Sequence, residues 1–148
     1  MDVLSGILAE LKTVVKRLNR LEAQGATRFV PLLTSLTSTS WDGDPYTTTA
    51  KTLIDLSAVF GAPAGIKAAL VRGAIRDEAA ATGDYTLTLS PEGGGGTGIS
   101  INCVPINDRY NRFAVVVPCD ANGDFYYQTV ASGVGTMDII IQIWGYWI

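Results

Sequence analysis

A chain of 148 residues is the usual size of one domain, long enough to bury a core without disulfide or metal staples. Its formal net charge of −3 is unevenly spread: residues 1–28 hold five Lys or Arg against three acids, the remainder six against eleven, so the body is acidic and lacks the clustered cations that nucleic acid requires. There is no histidine, which removes the commonest general base and the commonest metal ligand, and with them most hydrolase and zinc mechanisms; no cofactor is expected.

The first segment, MDVLSGILAELKTVVKRLNRLEAQ, repeats in sevens. Leu4, Leu11 and Leu18 fall at heptad position a, and Ile7, Val14 and Leu21 at d, which predicts an oligomerising helix over residues 1–25. Leu8 and Val15 at e widen the stripe, the pattern also found in a helix lying on its own domain. Leucine at a with β-branched residues at two of the d positions disfavours a parallel dimer and favours three or four strands. Gly25 supplies a C′ stop, with Lys16, Arg17 and Arg20 near the negative end of the dipole, and the stalk would be roughly 36 Å long. Asp2 stands where a signal peptide would be basic, and the apolar residues are periodic rather than continuous, so folding in cytoplasm is expected.

Residues 26–50 read as an extended Ser/Thr-rich connector. Pro31 forbids helix, the Ser/Thr run from 34 to 40 offers no periodic face, and Phe29, Leu32, Leu33 and Trp41 would lay the segment against something. From residue 50 the hydrophobic period changes to two. Strands are predicted over 52–60, 66–76, 84–90, 98–104, 111–119, 124–131 and 137–147, separated by Gly-, Asn- and Asp-rich turns rather than by helices. The fold class is therefore mainly β: an antiparallel β-sandwich or jelly-roll-like head over 51–148, carried on an N-terminal α-helical coiled-coil stalk. YTLTL at 85–89 alternates as a strand with one wet face, whereas IKAALVRGAI at 66–75 is apolar on both phases and should be covered on both faces.

The last of these segments, IIIQIWGYWI at 139–148, is too short to cross a bilayer, which takes about 20 apolar residues, so no membrane insertion is expected. With period two, Met137, Ile139, Ile141, Ile143 and Trp147 form a core face interrupted by Gly145. Asp138, Ile140, Gln142, Trp144, Tyr146 and Ile148 form the other, and its aromatic, amphipathic composition, with Gln142, Trp144 and Tyr146, suits a seam between subunits.

Few stretches carry chemistry. EGGGGTG at 92–98 lacks the Lys and Ser/Thr of a phosphate loop and precedes a strand. DANGD at 120–124 resembles the start of a calcium loop, but its glycine is misplaced and no downstream Glu completes it; Asn122-Gly123 is a type I′ hairpin signal, and a weak surface Ca²⁺ site is the alternative. Trp41, Asp42, Asp44 and Tyr46 in WDGDPY combine carboxylates with aromatics, as glycan contacts do, whereas a glycosidase pair would need a wider separation. Exposed Tyr110, Tyr126 or Tyr127 would add stacking platforms. Cys103 and Cys119 fall in phase with apolar neighbours, which suits buried thiols, a cross-strand disulfide being the alternative. Arg72 and Arg76 share a strand face with Ala68, Leu70 and Ala74 and are expected to pair with Asp77, Glu78 or a partner's acids.

The order of parts, with the ending IIIQIWGYWI and VVVPCDANGDFYY at 115–127, resembles small structural proteins of tailed bacteriophage virions, of the fibre or capsid-decoration type. That resemblance implies a homotrimer without cofactor, anchored to other virion proteins of capsid or tail by one end, assembled in the host cytoplasm and located on the virion. The expected function is non-enzymatic assembly; the alternative is an adhesin or fibre tip that binds a host surface glycan.

Overall fold

The computed structural model describes residues 3–23, 25, 27–94 and 98–148. The heptad segment is helix α1 (Val3–Ala23), and Gly25 follows it with φ 53°, a left-handed conformation suited to a C′ residue. The helix does not lie on its own domain: Ile7, Leu8, Leu11, Val14, Val15 and Leu18 are each 51–56% exposed. The side chains of Leu4 and Leu21 lie outside the described residues.

Among the described residues, nine strands form two antiparallel sheets. The strands are β1 (Phe29–Leu36), β2 (Gly43–Tyr46), β3 (Thr52–Ile54), β4 (Ala68–Asp77), β5 (Thr86–Ser90), β6 (Ile99–Asn102), β7 (Asn111–Pro118), β8 (Phe125–Val130) and β9 (Met137–Trp147). One sheet has the order β1-β9-β4-β7, with β2 also pairing β9; the other has the order β3-β8-β5-β6. From β2 onward each connection crosses between sheets except β5 to β6. Pro31, Pro45 and Pro118 all sit on edge strands of the first sheet, where a missing N–H costs no ladder bond.

The structure departs from expectation at several places. Residues 26–50 do not merely connect: β1 and β2 complete the first sheet by pairing with β9. The predicted strand over 52–60 ends at Ile54 and gives way to helix α2 (Leu56–Phe60). Asp55 caps that turn by accepting from Ala58 N at 2.7 Å, and Gly61, at φ 65°, closes it by donating to Ser57 O at 2.9 Å. Finally, Asn122-Gly123 does not make a β-hairpin, because β7 and β8 belong to different sheets; only Gly123 has positive φ, so the turn is not type I′.

The core lies between the sheets. Val71, Ile75, Val117, Met137, Ile139, Ile141 and Ile143 face Ile54, Leu87, Leu89 and Phe125, each fully buried, and Trp41 and Leu56 close one side. The predicted core face of β9 holds as far as Ile143. There the ladder to β4 slips: Val71 opposes Ile143 but Leu70 opposes Gly145, so Trp144 is a bulge residue. A one-residue slip exchanges faces. Tyr146 and Ile148 therefore turn inward against the core, and Trp147 turns outward beside Phe29, with ring centroids 4.6 Å apart. The assignments of Trp147 to the core and Tyr146 to the outer face are thus reversed. Phe29 also explains Gly145, since a Cβ there would lie 2.4 Å from its ring.

Asp77, at the end of β4, has its carboxylate fully buried within a complete set of donors. Oδ1 accepts from Ala79 N at 2.9 Å and from the Ser132 hydroxyl; Oδ2 accepts from Ser132 N at 2.9 Å and Thr136 Oγ1 at 3.0 Å. Burial pushes its pKa up, but the bonds from Ser132, Ala79 and Thr136 outweigh that and hold it below the usual value. The group ties β4 to the loop before β9.

Because the folded pKa is depressed, the stability due to Asp77 is present above the ordinary carboxylate range near pH 4 and is lost as pH falls through the lowered value. Asp77→Asn turns an amide N–H₂ toward donors and is expected to cost about 1–3 kcal/mol in urea denaturation at pH 7. That deficit should shrink as both proteins are taken to acid; a pH-independent deficit would contradict the assignment.

Candidate functional site

The two aromatic rings of WDGDPY face the core rather than solvent. Trp41 is buried, 3% exposed, and packs edge-on against Phe60 at 5.7 Å, so it is a core residue and no stacking platform. Asp42 accepts from the Thr37 hydroxyl at 2.6 Å, and Tyr46 packs against the core from β2. The side chain of Asp44 lies outside the described residues. Of the tyrosines, Tyr127 is buried with its hydroxyl donating to Ser40 O at 3.1 Å, Tyr126 is half-buried, and Tyr110 is 37% exposed under the guanidinium of Arg76.

The other marked motifs are occupied by the fold itself. Lys51 reaches the glycine-rich loop, but its Nζ donates to the carbonyls of Glu92 at 3.0 Å and Gly94 at 2.6 Å, whereas a phosphate cradle presents N–H groups. In DANGD, Asp120 Oδ1 accepts from Asn122 N at 2.8 Å and Asp124 N at 2.9 Å, closing the turn. Asp124 is turned inward and accepts from Leu56 N at 2.9 Å, steadying the start of α2. No group of three or more Cys, Asp or Glu among the described residues is arranged to hold a metal ion. No helix among them is long and apolar enough to cross a membrane.

The concave surface lies instead on the outer face of the first sheet. Two successive rungs build it: Ala114, Arg72 and Gln142 across β7, β4 and β9, then Arg112, Ala74 and Ile140. Each arginine thus faces an alanine across the β4–β7 pair, and the deficit of side-chain volume leaves a depression floored by Ala74, itself only 2% exposed. Gly73 lets the strands close beneath it, since a Cβ there would meet Ile140 O at 2.0 Å. The resulting cavity, about 330 Å³, is walled by Arg72, Arg112, Gln142 and Trp144. The Arg72 guanidinium lies 5.9 Å from the Trp144 ring centre, and Trp144 Nε1 donates to Gln142 Oε1 at 3.4 Å. The sequence marked Gln142 and Trp144 for this face; it did not mark Arg112, which only the β4–β7 register brings beside them.

Past Ile140 a second concavity of about 300 Å³ is lined by Asp42, Arg76, Tyr110 and Asp138. Arg76 pairs there with Asp138 and, at 2.8 Å, with Asp108, rather than with Asp77 or Glu78 as expected. Asp77 points to the opposite face of β4, and Asp108 reaches Arg76 from a left-handed backbone conformation, φ 59°, that Asp tolerates. Arg72 and Arg112, in contrast, have no carboxylate partner among the described residues. The two halves of the trough therefore differ in charge.

No protein-family model matches this chain, and no curated protein matches it.

The two cysteines are free: Cys103 follows β6 in one sheet and Cys119 follows β7 in the other. Burial pushes the Cys103 thiol up to about 11 and the Cys119 thiol to about 12, each with a smaller contribution from nearby aspartates. At neutral pH the thiolate fraction is negligible, so native protein is expected to alkylate with iodoacetamide far more slowly than a free thiol, and unreduced protein in urea to take up two labels per chain. Uptake of no label in urea would instead indicate a disulfide.

Proposed function

We propose that this chain is a non-enzymatic structural protein of a bacteriophage virion, a fibre or head-decoration component, that assembles as a homotrimer through α1. One observation carries the reading. Six aliphatic side chains lie in a row along a 21-residue helix and are more than half exposed in the single chain. A helix of that length is marginal in water by itself, and full burial of each such side chain is worth about 1.5–3 kcal/mol, so partner helices supply what the chain lacks. The heptad spacing, with leucine at a and β-branched residues at two of the d positions, supports a bundle of three or four helices, of which we take three.

The head adds secondary support. Its strand orders, β1-β9-β4-β7 and β3-β8-β5-β6, fit jelly-roll wiring, an architecture recurrent in viral capsid and lectin domains. The outer face of the first sheet has an apolar end, with Phe29, Leu70, Val116 and Trp147, next to the segment through which α1 enters the sheet; Arg28 and Ile148 exchange backbone hydrogen bonds there at 2.9 and 3.0 Å. Contact between heads at this end would continue the helical seam.

Light scattering on the whole chain is expected to give three chain masses. Leu11→Asp combined with Leu18→Asp places six carboxylates in the proposed seam and should yield monomers whose β circular dichroism is retained. A wild-type monomer would overturn the reading, and so would a double variant that keeps its full mass.

A further inference from the structure

We infer that the trough on the outer face of the first sheet is a binding site for an acidic oligosaccharide, with a carboxylate-bearing sugar held between Arg72 and Arg112 and a neutral sugar beside it. The inference goes beyond trimer assembly and does not rest on it.

Charge points to an anion. The body of the chain carries six basic residues against eleven acids from residue 29 onward, yet two guanidinium groups line the first cavity with no carboxylate partner among the described residues. Arg72 and Arg112 are diagonal neighbours on β4 and β7, roughly 7–8 Å apart at the backbone, close enough for both long side chains to reach one carboxylate. Guanidinium groups bind carboxylates through paired, charge-assisted hydrogen bonds. The Trp144 ring already fixes Arg72 from one side.

The rest of the cavity points to a sugar. Trp144, Ile140 and Ala74 provide apolar surface for the C–H face of a pyranose, and the Gln142 amide is positioned for hydroxyls. At about 330 Å³ the cavity suits a single ring, and the adjoining one of about 300 Å³ suits a second. There Asp42 and Asp138 can accept hydroxyl hydrogen bonds beside Tyr110, while Arg76 is already paired with Asp138 and Asp108. An anionic group in that half would face the carboxylates of Asp42 and Asp138, which favours a neutral second sugar. A polyanion such as nucleic acid is repelled by the acidic body.

The test uses the whole chain on an array of oligosaccharides that carry one uronic or sialic acid, each printed beside its counterpart with the carboxyl group reduced to an alcohol. At least one acidic member is expected to bind, and its reduced counterpart about tenfold or more weaker, the usual loss when a charge-assisted hydrogen bond is removed. Arg112→Gln, at an exposed position, should reproduce that loss, and Trp144→Ala should weaken acidic and reduced members alike; light scattering should return the wild-type mass for both variants. Three results would each overturn the proposal. These are retention of no acidic oligosaccharide, equal retention of acidic and reduced members, and a fall in oligomer mass in Arg112→Gln, which would make the trough a contact between copies of the chain. The carboxyl-reduced arm decides the question without any variant, so an unfolded substitution does not obscure it.

Discussion

The double covering of β9 is the constraint on which the rest of the molecule depends. Its inward side chains Met137, Ile139, Ile141 and Ile143 are all fully buried against the second sheet, and both of its edges are hydrogen-bonded, to β4 on one side and to β1 and β2 on the other. An apolar strand with a free edge would be a template for aggregation. Here the segment that reads as a connector supplies the missing edge, so residues 29–46 are as much part of the sheet as the strands that follow. The Asp77 carboxylate, by binding Ser132 and Thr136, fixes the loop from which β9 starts.

The bulge at Trp144 has consequences at both ends of the outer face. Toward the end where α1 enters, it brings Trp147 outward to Phe29 and sends Tyr146 and Ile148 inward, which leaves an apolar end on the sheet. Toward the other end, Trp144 remains on the outer face with Gln142, against Arg72. One inserted residue thereby separates a surface suited to subunit contact from a surface suited to a polar ligand.

Most of the head was legible as strands because β-structure with a buried face is written in alternation, and the predicted spans near β4 to β9 agree with the observed ones to within a few residues. Helix α2 was missed although Asp55 and Gly61 are its cap and stop, because a single turn is too short to register in a periodicity dominated by Leu53, Ile54, Leu56 and Val59. The glycan assignment to Trp41 failed for a different reason. Aromatic residues beside carboxylates look alike in a sequence whether the ring faces solvent or core, and only its packing on Phe60 distinguishes the two. The trough was half legible: Gln142 and Trp144 follow from alternation along one strand, whereas Arg112 joins them through a pairing of strands that the sequence does not encode locally.

Local patterns in the sequence specify the class of the molecule: a heptad helix, a body of antiparallel strands, cysteines in apolar phase and no histidine chemistry. These depend on short-range regularities, periods of 3.5 and 2 and the residues that interrupt them. Tertiary structure decided which face of each strand matters. The phase of β9 beyond Ile143, the pairing of Arg76 with Asp138 and Asp108, and the convergence of two arginines beside a tryptophan all depend on inter-strand register. Register is set by the fit of residues distant along the chain, such as Phe29 lying over Gly145, and so it exists only once the sheets have formed.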